Sequence, residues 1–293
     1  MRTIRTLAVA AVAVALARPA AAQDRLEEVM FDREFPVDAG ADLVALVSDM
    51  DLDIRTADVS SARVRVIARA RDLSFVDEEF ERQRFRAEGR DGGLRVESRE
   101  EDRDWSARQW RERGGVSFVA EITIPRRFDL DVETGDGDIR IGEVEGDVQL
   151  DTGDGDVWIE GVTGARMAFH TGDGDMTVRR LEADEIELRT GDGDLLLERI
   201  SGALSATTGD GDVELDIERF AGATIRTGDG DVLLTADPSI RAEVDIEGED
   251  LEVSRPFQIS GRLSRRHLSG TLNGGGPRLS VRTGDGSVSL RAR

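Results

Sequence analysis

A five-residue sequence, Thr-Gly-Asp-Gly-Asp, recurs through the second half of this chain with an almost constant spacing. Successive copies begin 18 or 19 residues apart, and a seventh copy, ending in Ser, follows after 56 residues. A unit this short cannot bury its own apolar face, so the copies are expected to stack on one another. The long gap equals three average spacings, which predicts two degenerate units in register within Ala236–Leu279. The copies begin at Thr134, Thr152, Thr171, Thr190, Thr208, Thr227 and Thr283.

Apolar residues flank every copy at four fixed positions, which lie four and two residues before the Thr and five and seven residues after it. Around Thr152 these residues are Val148, Leu150, Val157 and Ile159. Alternation of this kind is typical of strands with one buried face. Each unit is therefore a strand, a Gly-rich turn, a second strand and a second turn. Stacking such units about 4.8 Å apart predicts an all-β fold, a parallel β-solenoid with about 18–19 residues per rung.

The turn residues have a conformational role in this interpretation. Gly adopts positive φ without steric cost, so we expect positive φ at the glycines of the Thr-Gly-Asp-Gly-Asp turns. Thr suits the end of a strand, where we expect its hydroxyl to hydrogen-bond between rungs.

The N-terminal part carries a weaker form of the same pattern. Leu43, Ala45, Leu52 and Ile54 occupy the four apolar positions around a degenerate turn. The pattern breaks over residues 71–115, where we expect a small irregular or helical insertion. The sequence predicts a short helix there between Ser74 and Phe85 and a hairpin turn at Arg90–Gly93, then a strand from Val116 to Pro125.

The first residues have the features of an export signal. Arg2 and Arg5 precede an apolar run over Leu7–Leu16, and small residues follow up to Ala22. This pattern predicts a secretory signal peptide, residues 1–22, and a secreted or periplasmic protein of the cell envelope. No later segment has the roughly 20 apolar residues of a membrane-spanning helix. We divide the rest into a degenerate β-repeat region, 23–125, and the regular repeats, 126–293, continuous with it.

Composition excludes several classes of function. The chain has no Cys, which excludes disulfides and thiolate metal sites, and it has only two His. Its formal net charge of −22 disfavours binding to nucleic acid. Every rung carries the same acids, whereas a catalytic centre would be a single departure from the repeat. We therefore expect neither an enzyme nor an organic cofactor, and we predict no catalytic residue.

The aspartates of the turns are the candidate metal ligands. Stacking would place them in two columns, in which neighbouring carboxylates repel each other by about 0.9 kcal/mol in water. Either backbone N–H groups and solvent offset this repulsion, or Ca²⁺ does so, since Ca²⁺ prefers carboxylate and carbonyl oxygens. The candidate calcium ladder comprises Asp136, Asp138, Asp154, Asp156, Asp173, Asp175, Asp192, Asp194, Asp210, Asp212, Asp229 and Asp231.

Two other surface features leave alternatives open. Trp158 faces outward beside Glu160, while Trp105 and Trp110 flank an Arg-rich segment; such aromatics either pack locally or serve an interface or a sugar. A basic group either pairs with acids of the same chain or binds a polyanion. It consists of Arg255, Arg262, Arg265, Arg266 and His267.

The chain resembles a family of exported bacterial proteins known as “putative adhesins”, which contain a β-strand-repeat domain of unknown function. The resemblance rests on Ile122–Pro125, on Asp129–Ile139, on the recurrent Thr-Gly-Asp-Gly-Asp and on the closing segment Gly270–Gly286. It covers most of the chain after the signal peptide, and the insertion is the least family-like part. The resemblance implies a β-solenoid and a role in adhesion, and it implies no catalytic residues.

These observations favour an exported, non-enzymatic β-solenoid that presents a rigid acidic surface for adhesion or envelope interaction. Its partner would be a cell-surface or envelope protein or a glycan. Two alternatives remain at this point. One is a calcium-stabilised structural or sensing module, and the other is a carbohydrate-active enzyme built on a β-helix.

Overall fold

The computed structural model describes residues 25–99 and 115–293. The predicted all-β class is confirmed, because strands make up nearly all of the regular structure. The signal-peptide prediction, residues 1–22, lies outside the described residues. Within the described ranges, no helix is long and apolar enough to cross a membrane.

Within these two described ranges, the regular elements are 23 strands, a 3₁₀ turn at Leu73–Phe75 and the helix α1 at Val76–Arg82. The strands are β1 (Leu26–Pro36), β2 (Asp42–Leu46), β3 (Asp51–Ala57), β4 (Ser61–Ala70), β5 (Arg86–Arg90), β6 (Gly93–Glu97), β7 (Ser117–Pro125), β8 (Asp129–Thr134), β9 (Ile139–Glu145), β10 (Val148–Thr152), β11 (Val157–Thr163), β12 (Arg166–Thr171), β13 (Met176–Val178), β14 (Leu181–Arg189), β15 (Leu195–Thr207), β16 (Val213–Arg226), β17 (Val232–Ala236), β18 (Ala242–Glu247), β19 (Leu251–Val253), β20 (Ile259–Leu263), β21 (His267–Leu272), β22 (Arg278–Arg282) and β23 (Val288–Ala292).

Two sheets of mostly parallel strands face each other across one core. Sheet 1 contains the strands that precede the Gly-rich turns, in the order β6–β2–β8–β10–β12–β14–β15–β16–β22–β18. Sheet 2 contains the strands that follow the turns, in the order β7–β3–β9–β11–β13–β15–β16–β17–β23–β19. The long strands β15 and β16 contribute to both sheets. This arrangement confirms the predicted solenoid.

The apolar positions of the repeat form the core. All 28 residues at the four fixed positions are buried, among them Leu150, Phe169 and Leu188, which lie side by side on neighbouring strands of sheet 1. A further buried column, absent from the predicted pattern, lies at the second turn of each rung, where the chain passes from sheet 2 to sheet 1. In four consecutive rungs it consists of Val144, Val162, Leu181 and Ile200.

The order of rungs departs from the order of the chain at the C-terminal end. The seventh copy of the repeat, on β22 and β23, pairs directly with β16 and β17. The segment between the sixth and seventh copies does not lie between them in the stack. Its strands β18 and β19 pair instead with the outer sides of β22 and β23. The prediction of two in-register units between Thr227 and Thr283 is therefore wrong. The turn at Thr283 shares the residues Thr-Gly-Asp-Gly with the turn at Thr227, whereas the degenerate turn at Gly248–Asp250 lacks the Thr and the second Gly.

At the N-terminal end, too, the order of rungs differs from the order of the chain. The predicted degenerate rung is confirmed as β2 and β3, but the later strands β6 and β7 pair on its outer side. Part of the predicted insertion, β6, is thus a strand of the outermost rung. The predicted hairpin turn is confirmed between β5 and β6, with φ of 51° at Asp91 and 84° at Gly92. The predicted helix is confirmed as the shorter α1.

Both ends of the core are closed by other elements. At the N-terminal end, β4 and β1 extend sheet 2 with antiparallel pairing, and aromatic rings near α1 cover the core. The Phe80 ring centroid lies 5.8 Å from that of Phe85 and 5.6 Å from that of Phe118. At the other end, the antiparallel β20–β21 hairpin extends sheet 1 beyond β18. Such caps protect the terminal rungs from pairing with other chains.

We predict that Gly193→Ala destabilises the protein whereas Gly142→Ala does not. A Cβ on Gly193 would overlap the carbonyl oxygen of Gly174 in the neighbouring rung, while a Cβ on Gly142 would find its nearest atom 3.8 Å away. Overpacking of this kind costs about 2 kcal/mol, and Ala at an open strand position is tolerated. Urea unfolding of both variants measures the difference. Equal free energies of unfolding for the two variants would show that the turns do not stack so closely.

Candidate functional site

The seven Thr-Gly-Asp-Gly turns lie above one another along one side of the solenoid, which we call the turn edge. It runs from Thr134–Asp138 to Thr283–Ser287. Equivalent residues fall into columns because the strands that lead into the turns pair in register, as Thr134, Thr152 and Thr171 do. The turn edge brings the largest set of predicted site residues together.

The threonines of the turn edge face the interior. Thr152, Thr190 and Thr283 are at most 8% exposed, as are their equivalents. From Thr152 onward, each hydroxyl donates a hydrogen bond to a glycine carbonyl of the neighbouring rung; the Thr208 Oγ1 to Gly193 O distance, for example, is 2.9 Å. The Thr134 hydroxyl donates instead to the carbonyls of Ser48 and Met50 in the degenerate rung. Hydrogen bonding between rungs is therefore confirmed, with glycine carbonyls as the acceptors. The same contacts recur from Thr152 to Thr283.

The glycines of the turn edge serve close packing rather than an unusual backbone conformation. None of the fourteen has a positive φ, so that expectation is wrong. Instead, a Cβ on Gly155 or Gly174 would overlap the carbonyl oxygen of the equivalent glycine in the preceding rung. The backbones of successive turns lie too close for any side chain between them.

The second aspartate of each turn is used by the fold. Its Oδ1 accepts a hydrogen bond from the backbone N–H of the equivalent residue in the next rung, with 2.7 Å from Asp212 N to Asp194 Oδ1. The same bond links every pair of turns from Asp138 to Ser287. Asp51, which accepts from Asp138 N at 3.2 Å, begins this column in the degenerate rung. Burial raises the pKa of Asp51 above its ordinary value, and the hydrogen bond from Asp138 N opposes that shift.

The first aspartate of each turn is exposed to solvent. Asp154, Asp173 and Asp192 accept no hydrogen bond and form no ion pair within residues 25–99 and 115–293. Each lies over the first glycine of the next turn, so that a Cβ on Gly172 would come within 2.6 Å of Asp154 Oδ1. We call this row of unpaired carboxylates the outer Asp column. It consists of Asp136, Asp154, Asp173, Asp192, Asp210, Asp229 and Asp285.

The calcium ladder stays a prediction. In the part of the chain that the structure describes, no three His, Asp or Glu side chains form a group that could hold a metal ion. One of the two columns already binds backbone N–H groups. Calcium binding would require a rise in melting temperature with CaCl₂ that EDTA reverses and that MgCl₂ at equal ionic strength does not reproduce.

The other predicted surface residues are not part of the turn edge. Trp158, on the outer face of sheet 2, is half-buried beside Arg179, whose Cζ lies 5.6 Å from the ring centroid. Arg179 also pairs with Glu160 at 3.9 Å. Local packing therefore accounts for Trp158. Trp105 and Trp110 lie outside the described residues.

The basic group at the C-terminal end pairs largely with acids of the same chain. Arg265 lies 3.2 Å from Asp250, and His267 Nε2 lies 3.1 Å from Asp245 Oδ1. The hydrogen bond from His267, together with nearby Arg282 and Arg278, lowers the pKa of Asp245. Arg266 pairs with Glu249 at 3.9 Å, while Arg255 and Arg262 have no acidic partner among the described residues.

The sequence pattern does not predict one polar contact, which lies at the second turn of the first regular rungs. Asp147 Oδ1 accepts backbone hydrogen bonds from Ala165 at 2.9 Å and from Arg166 at 3.0 Å, and these bonds lower the pKa of Asp147. Asp129 accepts from Asp147 N at 2.8 Å in the same way. The spacing of 18 residues between these two aspartates is the only signal, and later rungs do not repeat it.

Comparison with known proteins adds a family and a set of folds. The Toastrack DUF4097 family matches residues 51–291. A “putative adhesin” from Bacteroides fragilis aligns with a TM-score of 0.50 and 12% identity over 90% of this chain and 97% of that chain. Two structures from Parabacteroides distasonis each cover 90% of this chain and 97% of their own. They are a “putative adhesin” (14% identity, TM-score 0.46) and a “putative lipid binding protein” (12%, 0.47). No curated protein matches the chain.

We predict that the two aspartates of one turn differ in their effect on stability. Asp194→Ala removes the acceptor of the Asp212 N–H and should lower the free energy of unfolding by about 1 kcal/mol. Asp192→Ala removes only an exposed, unpaired charge and should leave stability unchanged or raise it slightly. Asp194→Asn keeps the acceptor and serves as the control. Urea unfolding in which Asp192→Ala costs as much as Asp194→Ala would contradict the assignment.

Proposed function

The chain belongs to the Toastrack DUF4097 family, and we propose that it is an exported, non-enzymatic β-solenoid that binds a partner at the cell envelope through its turn edge. The match covers most of the chain and agrees with the resemblance seen in the sequence. The Bacteroides fragilis protein of the same fold is named a “putative adhesin”, and we carry that role over as part of this proposal.

The outer Asp column is the observation that carries the proposal. The second aspartate of the six consensus turns accepts a backbone hydrogen bond, whereas the first aspartate has no partner among the described residues and is exposed in all seven turns. Seven carboxylates at intervals of about 4.8 Å concentrate negative potential along one line. Such a line complements a partner that presents a row of cationic groups, for example Lys and Arg side chains on an extended protein segment.

The rigidity of the scaffold supports a binding role. The turns are fixed to one another through Thr hydroxyls, Gly carbonyls and Asp carboxylates, so the spacing of the outer column does not have to be ordered when a partner binds. Preorganisation of this kind lowers the entropic cost of association. The six consensus turns from Thr134 to Asp231 repeat the same two acids, whereas a catalytic centre would be a single departure from such a pattern.

We predict that binding of an oligolysine peptide depends on the outer Asp column rather than on total charge. Isothermal titration at low salt would compare the mature protein with a variant in which Asp154, Asp173, Asp192 and Asp210 are replaced by Asn. We expect affinity to fall by about tenfold or more, because several charge pairs are lost at once. The matched control replaces four exposed acids elsewhere by Gln and should bind almost as the wild type does. These four are Glu198, Glu214, Glu218 and Glu252.

Two outcomes would contradict this function. Equal losses in the two variants would mean that bulk charge alone attracts the peptide. No measurable binding by the wild type at low ionic strength would mean that the outer Asp column does not attract cationic partners at all.

A further inference from the structure

The strand β20 is the outermost strand of sheet 1 at the C-terminal end of the solenoid. The β20–β21 hairpin covers the outer side of β18, but β20 itself pairs only with β21 among the described residues. Residues 100–114 connect β6 to β7 at the opposite end of the stack. In sheet 1, β6 lies eleven strand spacings from β20, which is about 50 Å. In the part of the chain that the structure describes, β20 is therefore an open sheet edge.

The backbone of β20 directs hydrogen-bonding groups outward at every second residue. The Asn273 N–H of the partner strand's end donates to Gln258 O at 2.9 Å. The Ser264 N–H donates to His267 O at the same distance. Because such bonds recur at alternate residues of an antiparallel ladder, the residues between them direct N–H and C=O away from β21. On β20 these residues are Ile259, Gly261 and Leu263.

One face of β20 carries apolar side chains beyond the closed part of the core. Leu263 is 53% exposed, whereas its register partner on β21, Leu268, is fully buried. Ile259 lies on the same face as Leu263 and is half-buried against the core. Edge strands with exposed apolar residues invite pairing with another strand. The core-facing side of β20 thus offers apolar surface that an added strand would cover.

The segment around this edge is basic on a strongly acidic chain. Residues 254–269 contain four arginines and no acid, in a chain with 61 acidic and 39 basic residues. Arg265 and Arg266 form exposed ion pairs with acids of a neighbouring loop, and such pairs contribute little free energy. Arg255 and Arg262 are exposed and have no acidic partner within residues 25–99 and 115–293. By strand alternation, Arg262 lies on the face of β20 opposite Leu263.

We propose that an extended acidic segment of another protein adds to β20 as a further strand of sheet 1. Main-chain hydrogen bonds to the three outward residues would provide affinity, and alternate side chains would provide specificity. Acidic side chains of the added strand face Arg262, and the apolar side chains between them cover Leu263 and Ile259. A second copy of this chain fits less well, because pairing two β20 edges would bring two basic segments together. This inference does not depend on the proposed role of the turn edge.

The net charge of −22 does not prevent an acidic strand from binding at this edge. At 0.15 M ionic strength, exposed charges more than about 8 Å apart are largely screened. The arginines beside β20 therefore dominate the potential that a strand at the edge experiences. The same arginines repel basic strands, which gives the edge a preference that backbone pairing alone lacks.

The probe is a fluorescein-labelled peptide, Glu-Val-Glu-Val-Glu-Val-Glu, whose anisotropy is measured with the mature protein in 0.15 M NaCl. Residues directly opposite each other in a ladder share a face, so valines on the Leu263 side pair their amides with the outward residues of β20. N-methylation of the valine amides should therefore weaken binding by about tenfold or more. N-methylation of the glutamate amides, which point away from β20, should leave binding almost unchanged. All three peptides carry the same charge.

Charge variants of the protein test the role of Arg262. Arg262→Glu should weaken peptide binding by about tenfold, because it places a like charge opposite the glutamates. Arg226→Glu is the matched control and should bind as the wild type does. Arg226 is exposed, lacks an acidic partner among the described residues and lies in the same sheet, four strands from β20.

A pair of variants at Leu263 tests the backbone contact. Leu263→Pro removes an outward N–H but no hydrogen bond to β21, a position that tolerates proline on an edge strand. Leu263→Ala shortens the side chain and keeps the N–H. Leu263→Pro should therefore weaken peptide binding several-fold more than Leu263→Ala does, and melting temperatures show whether both variants are folded.

The proposal is overturned if the unmodified peptide does not bind at millimolar concentration, or if methylation of the valines and of the glutamates has the same effect. Equal losses in Arg226→Glu and Arg262→Glu would also overturn it. Sedimentation that shows a wild-type dimer and a monomeric Leu263→Pro variant would assign the edge to a second copy, which contradicts the proposal as well.

Discussion

The structure depends on the close approach of one turn backbone to the next. In the consensus rungs, the second glycine of a turn lies directly against the carbonyl oxygen of the equivalent glycine, and the buried Thr hydroxyl bonds to that same carbonyl. This contact fixes the register of the strands on both sides of the turn. The apolar residues of successive rungs then align, and the core follows from their alignment.

The same contact explains why the chain does not stack its rungs in sequence order. The seventh turn, at Thr283, carries the Thr and both glycines, so it fits against the turn at Thr227 better than a degenerate turn does. Ion pairs favour β18 as the outer neighbour of β22, since Arg278 and Arg282 of β22 both lie within 3.5 Å of Asp245 on β18. The degenerate rungs are left at the two ends, where the antiparallel strands and α1 close the core.

Much of the fold could be predicted because the spacing of the repeat gives the length of a rung and the alternation of apolar residues gives the buried face of each strand. The alternation around Leu150 and Ile159 predicts the two sheets and the buried faces, and the structure agrees. Two features could not be predicted in this way. The order of rungs depends on which turns fit together, a preference that spacing alone does not encode. Gly is required at position 193 because a Cβ there would overlap the neighbouring rung, and not because the backbone has a positive φ.

The turn edge exists only because the rungs stack in this order. That stacking can be tested through disulfide formation, because the chain has no cysteine of its own. Thr224 and Ser280 are register partners on adjacent strands, about 4.8 Å apart and within reach of a disulfide, whereas Asp245 lies one strand further, about 9.6 Å from Thr224. Oxidation of Thr224→Cys/Ser280→Cys should give a rapid intramolecular crosslink, and Thr224→Cys/Asp245→Cys should not. The reverse result would show that the rungs follow the order of the chain and would contradict the account.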